Sequence, residues 1–129
     1  MTYSDKLNAT KEGYPFEKWQ EYYPNENNNC EGMEQYTPEN CGKAQQIFDT
    51  LIAQLVEIGE NAKKKDKEKL FEIAIIGLNT LNDETEGSLI ETGEREDLCE
   101  LIDNISISAG LNPEDYADGE GISDEWREW

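Results

Sequence analysis

Histidine is missing from this chain, and its absence removes serine and cysteine triads of the usual kind, imidazole acid–base catalysis and most transition-metal sites. Basic residues are scarce as well: 11 Lys and Arg stand against 30 Asp and Glu in 129 residues, a formal net charge of -19. Such a chain repels nucleic acid and anionic membrane and attracts basic surfaces, because its summed field reaches about a Debye length, roughly 8 Å at physiological salt. Cysteine is limited to Cys30, Cys41 and Cys99, odd in number and without CxxC spacing. Neither a disulfide framework nor a zinc site follows from that, and all three are expected as free thiols. No run approaches the roughly 20 apolar residues that cross a bilayer, and residues 1–10 hold no basic segment followed by an apolar one. A cytoplasmic protein without membrane contact is the expectation. Phosphate-cradling GxxxxGK[ST] and GxGxxG loops and the GxSxG nucleophile elbow are also missing, so no cofactor and no enzymatic activity are expected.

What the chain does hold is one apolar region between polar ends. Leu, Ile, Val and Phe gather between residues 47 and 111, enough for one core in a single domain of this length. Residues 1–36 form a loop-rich aromatic segment in which Pro15 opens a short helix, with Phe16, Trp19 and Tyr23 on one face. Pro24 and Asn25–Asn29 then read as a loop. Thr37-Pro38 is a capped helix start. Ala44, Ile47, Phe48, Leu51, Ile52, Leu55 and Ile58 follow at helical spacing, and Gly59 offers a left-handed stop.

The lysine-rich stretch 63–69 reads as a solvated connection and first turn leading into a second helix. The centre of that helix, Ile73-Ala74-Ile75-Ile76, is apolar nearly all round, which suits packing on more than one side, and its lone Gly77 marks a close helix crossing. Turn formers from Asn82 to Ser88 break the pattern. A third long helix is expected from about Glu94, with Leu98, Leu101, Ile102, Ile105 and Ala109 on one face and Gly110 past its end. Residues 112–129 read as an acidic tail ending in one helical turn that carries both Trp126 and Trp129. The sum is an all-α single-domain helical bundle, three long helices plus short N- and C-terminal ones.

The acids are unevenly placed. Sixteen lie between Asp83 and Glu128 against two bases, Arg95 and Arg127. The run Asp118-Gly119-Glu120-Gly121 does not register as a calcium loop. Setting Gly119 sixth puts Tyr116 at the third ligand position, and setting Gly121 sixth puts Arg127 at the twelfth. An acidic stretch without interspersed bases destabilises a fold by self-repulsion, which points to use as a binding surface. On charge location the residues expected to meet a basic partner are Asp83, Glu84 and Glu86 in the turn, Glu91, Glu94 and Asp97 at the third helix's start, and Asp115, Asp118 and Glu120 in the tail. Trp129 is added as an exposed aromatic anchor.

The segments Gly77-Leu78-Asn79-Thr80-Leu81-Asn82, Leu98-Cys99-Glu100-Leu101-Ile102 and Asp124-Glu125-Trp126-Arg127-Glu128-Trp129 resemble small bacterial immunity proteins, the cytosolic antidotes of contact-dependent growth inhibition and related polymorphic toxin systems. The resemblance spans about residues 66–129. It implies a protein that binds a basic toxin domain, commonly a nuclease, and covers its active site or substrate groove. Two other classes remain open on the residues alone. One is an acidic nucleic-acid mimic that inhibits a DNA- or RNA-binding protein; the other is a carboxylate enzyme that uses a divalent metal.

Overall fold

A computed structural model of the protein describes residues 1–24 and 33–129, and among them every regular element is helical. The all-α class therefore holds. The loop expected over Asn25–Asn29 and the thiol of Cys30 lie outside the described residues. The helices are α1 (Tyr3–Ala9), α2 (Phe16–Gln20), α3 (Pro38–Ile58), α4 (Lys64–Glu84) and α5 (Thr92–Ser108). Single 3-10 turns occupy Thr10–Gly13, Pro113–Asp115, Ala117–Gly119 and Ile122–Glu125.

Local chemistry sets most of these boundaries. At the start of α3 the Thr37 hydroxyl accepts from the Asn40 amide at 3.0 Å, Pro38 takes the first position, and Gly59 with φ +87 ends the helix. Helix α5 begins earlier than the expected Glu94, because Glu91 and Glu94 form a reciprocal cap in which Glu94 Oε1 accepts the Glu91 amide at 3.3 Å. Helix α1 was not expected. Its start is a capping box of Thr2 and Asp5, while only Leu7 of its residues is buried, so it carries no apolar period to read. Helix α4 runs on through Asn82, Asp83 and Glu84, and the break comes only at Glu86 and Gly87, which have φ 58 and 74. There Asn82 does the work of a junction: its carbonyl accepts the Gly87 amide at 2.7 Å and its side chain accepts the Ile90 amide at 2.9 Å.

The core forms around α3, which lies against α4, α2 and α1, while α5 rests on α1, the Thr10–Gly13 turn and the C-terminal turns. Phe16, Trp19, Tyr36, Phe48 and Phe71 are fully buried, each contributing about 1.5–3 kcal/mol of hydrophobic stabilisation. Phe16 meets Trp19 edge-to-face at 5.3 Å, and Tyr22 meets Tyr36 at 5.4 Å. The expected stripe of Phe16, Trp19 and Tyr23 is only partly formed: α2 ends at Gln20, Tyr23 turns outward, and Tyr22 takes its place against the core.

Three further expectations are corrected by packing. Lys67, expected in a solvated stretch, is buried, and its Nζ donates to the Ala109 carbonyl at 2.7 Å and the Glu60 carbonyl at 2.8 Å beneath the Tyr3 ring. It satisfies one carbonyl just past the C-terminal end of α5 and one just past that of α3. Residues 112–129 are a packed clasp in place of a tail. Tyr116, Ile122 and Ser123 are buried, and Asn79 of α4 donates to the Trp126 carbonyl and accepts the Glu128 amide, both at 2.9 Å. The apolar centre of α4 is covered on one side only: Ala74 and Ile75 are buried, but Ile73 is 55% and Ile76 46% exposed.

Two glycines give opposite predictions. A Cβ on Gly77 would sit 3.5 Å from Ile47 Cδ1, an ordinary contact, so Gly77→Ala raises stability by about 0.5–1 kcal/mol through helix propensity. Gly121 has φ +105 and a Cβ there would lie 2.6 Å from Asp103 Oδ1, so Gly121→Ala lowers stability by about 1–3 kcal/mol. Urea denaturation midpoints of the two variants check both signs.

Candidate functional site

The ten residues expected to meet a partner separate into two exposed patches and an internal group. Asp83 and Glu84 fill the last turn of α4 and Glu86 follows in a left-handed conformation; all three side chains are exposed. Glu91, also exposed, caps α5 nearby in sequence. The second patch begins at the opposite end of α4, where Asp115 lies 3.9 Å from Lys64. Nineteen residues of helix separate Lys64 from Asp83, about 28 Å at the usual rise. Asp118 and Glu120 lie exposed in the turns that follow Asp115, and Asp118 is left-handed at φ 54. The single acidic face expected from the sequence is thus divided by the length of α4.

Glu94 is buried, and Asp97 and Trp129 are partly covered. The Glu94 side chain is 8% exposed, and its Oε1 accepts from the Tyr36 hydroxyl at 2.6 Å. Asp97 accepts from Trp19 Nε1 at 3.1 Å and pairs with Lys18 at 2.9 Å. Trp129 packs against the core beside the Arg127 guanidinium, which lies 5.5 Å from its ring. Each is drawn inward because an apolar or aromatic neighbour from a distant element covers it, which charge location alone could not register.

The internal acids share one device that the sequence reading missed. Tyr14 donates to Asp49 at 2.8 Å, Tyr36 to Glu94 at 2.6 Å and Tyr116 to Glu68 at 2.7 Å, while Trp19 serves Asp97 in the same way. Burial, and then the bond to a carboxylate, pushes the Tyr14, Tyr36 and Tyr116 phenols well above their ordinary range. The only available signal was compositional: a chain poor in bases but holding six tyrosines has neutral donors to spare.

Asp103 is the exception. Its Oδ1 is buried with no hydrogen-bond donor from the protein, and burial followed by repulsion from Asp124 holds its carboxyl above the usual aspartate range. The neighbouring Asp124 is bound by Arg127. Cys99 is half-buried near this cluster, against Ser123 at 3.5 Å, and Cys41 is buried, its thiol pushed up to about 11.

Among the described residues no three His, Cys, Asp or Glu side chains are arranged to hold a metal ion, and no helix is long and apolar enough to cross a membrane. A surface hollow between Tyr14, Lys18, Asp97 and Glu100 has two of its polar groups already committed to each other. No protein-family model, curated protein or solved structure matches this chain.

Two titrations follow. Above about pH 10 the unfolded chain releases phenolic protons that the folded chain keeps, so stability falls as pH rises through that point. Tyr14, Tyr36 and Tyr116 are expected to ionise only together with loss of helical circular dichroism. Phenolate absorbance that completes before the helices melt would contradict this. Asp103 carries the same sign at acid pH: its raised carboxyl favours the fold when protonated, and that contribution is lost as pH rises through its folded pKa. Asp103→Asn therefore raises the thermal midpoint at neutral pH, with the gain shrinking to nothing below about pH 4.

Proposed function

We propose that this protein is an antidote of the immunity-protein kind, a non-enzymatic inhibitor that binds a basic toxin domain and blocks it, with a nuclease as the leading target class. The observation that carries the reading is the placement of Asp83, Glu84 and Glu86. Two of them occupy the C-terminal turn of α4, where the helix dipole disfavours anions, and the third sits at φ 58, where a side chain is strained. None of the three has an ion-pair partner among the described residues. A fold that hydrogen-bonds its inner acids with phenol and indole donors, yet leaves these three exposed at unfavourable positions, keeps charge available for something outside itself. A nuclease must present a basic surface to phosphate, and an acidic inhibitor meets that surface with a fast, salt-sensitive on-rate. Inhibition in the cytoplasm by occlusion of that surface accounts for the charge without requiring any catalytic group.

Affinity capture at low and high salt, with this protein as bait in an extract of the organism that encodes it, tests the reading. A basic toxin domain is expected at low salt. Recovery of a DNA-binding protein would favour the mimic, and recovery of nothing would overturn the reading. With the captured domain in hand, Asp83→Asn, Glu84→Gln and Glu86→Gln together should slow association about tenfold or more at low salt without lowering folding stability. The corresponding neutralisation of Asp115, Asp118 and Glu120 reports which of the two patches is engaged. Unchanged association kinetics in both variants would move the interface elsewhere.

A further inference from the structure

An uncharged hollow in this highly charged protein lies on its two longest described helices. Helices α3 and α4 pack antiparallel with Ile47 against Gly77, and a groove of about 250 Å³ opens between them. It is lined by Gln46, Ile47, Thr50 and Gln54 from α3 and by Ile73 and Gly77 from α4, among others, and none of its lining side chains is ionisable. Gln46, Thr50, Gln54 and Ile73 are exposed, and Ile76, one helical step beyond Ile73, extends the apolar strip outward. Depletion of charge at the centre with polar groups at the edge is the composition of an interface core. Exposed isoleucines side by side on one helix are not needed by the fold, since Ile73 and Ile76 meet no covering element.

The charges around the groove decide what fits it. The two lysines one turn away, Lys43 and Lys69, are held by Glu39 and Glu72 of their own helices at 3.6 Å. Glu57, the next turn after Gln54, and Asp83, the next turn after Thr80, are exposed and have no ion pair. Two unpaired acids, Glu57 and Asp83, thus flank an uncharged floor, while the nearest exposed cation on α4 without an ion pair among the described residues is Lys65, five residues before Leu70. A second copy of this chain would bring another -19 against it, and an anionic bilayer would be repelled in the same way. We infer that the α3–α4 groove receives an amphipathic helix of a basic protein, its apolar stripe seated over Ile47, Ile73 and Ile76 and its lysines or arginines turned toward Glu57 and Asp83. This rests on the basic-partner reading and gives that partner an apolar anchor in addition to charge. Grooves between two helices commonly take a third in this way, with apolar side chains at i, i+3 or i+4 and i+7.

The probe is a fluorescein-labelled peptide of about 18 leucines and lysines, roughly five helical turns, with all leucines on one face, compared with a peptide of the same composition with leucines scattered. Fluorescence anisotropy at about 0.15 M salt is expected to show the amphipathic peptide binding about tenfold more tightly than the scattered one. Ile73→Gln with Ile76→Gln removes apolar area without changing charge and should weaken the amphipathic peptide about tenfold. Thr50→Glu is the deciding variant. Docking of apolar side chains requires it to weaken binding, whereas attraction by charge alone requires it to strengthen binding. All three positions are exposed, and thermal melts monitored by circular dichroism confirm that the variants fold. Equal binding of the two peptides, tighter binding by Thr50→Glu, or no binding at all would overturn the inference. So would a dimer seen by light scattering that Ile73→Gln and Ile76→Gln dissolve, since a second copy would then be the occupant. If these variants leave the captured toxin domain's affinity intact while neutralising Asp83, Glu84 and Glu86 reduces it, the groove inference fails and the antidote reading stands.

Discussion

A carboxylate hydrogen-bonded by a neutral aromatic donor is the interaction on which the rest of this fold depends. Pairing each inner carboxylate with a cation would draw on a chain that has 11 bases for 30 acids, and each buried pair would carry two desolvation penalties. A phenol or indole adds no charge and brings an apolar ring into the core. Hydrogen bonds of this charged-acceptor kind contribute about 1.5–3 kcal/mol each. Tyr14, Trp19 and Tyr36 place these bonds inside the aromatic cluster with Phe16 and Phe48, so the polar and apolar parts of the core are built from the same side chains.

The scarce cations are then used where a neutral donor would not serve. Lys67 reaches two main-chain carbonyls and the Tyr3 ring from one ammonium, tying the first turns of α4 to the end of α5 and to α1. Arg127 holds Asp124 and the main-chain carbonyl of Trp129, which anchors the C-terminal clasp. Asn79 supplies the complementary uncharged contact, bonding the clasp in both directions from α4. Through these few contacts the acidic C-terminal segment is folded onto the bundle, and its apolar residues Tyr116 and Ile122 are turned inward while Asp118 and Glu120 remain outside.

Internal neutralisation leaves an exterior with two kinds of surface. The C-terminal end of α4 carries unpaired acids, and its middle, with α3, presents uncharged and apolar residues. Long-range charge governs how fast a basic partner arrives and in what orientation, whereas desolvated apolar contact governs how long it stays. Both lie along α4, with Asp83 near the boundary between them.

Local signals in the sequence were sufficient for the all-α class, for the start and stop of α3 at Thr37-Pro38 and Gly59, and for the glycine that follows α5. Those features depend on backbone chemistry within a few residues, and no distant part of the chain can change them. The capping boxes of α1 and α5 rest on the same kind of local chemistry, in Thr2 with Asp5 and Glu91 with Glu94, although the lack of an apolar period in α1 left the first without a helix to cap. What a side chain faces is a different matter. Glu94 and Asp97 resemble Glu91 in their sequence setting, but Tyr36 and Trp19 arrive from more than 50 residues away to hydrogen-bond them, burying Glu94 and partly covering Asp97. Lys67 differs from its lysine neighbours only because α5 ends above it, and Ile73 differs from Ile75 only because nothing packs on its side of α4. Composition and spacing determined that the chain is helical, where α3 starts and stops, and that acids far outnumber bases; only tertiary structure decided which acids stay exposed, because exposure depends on the partners that long-range folding brings or withholds.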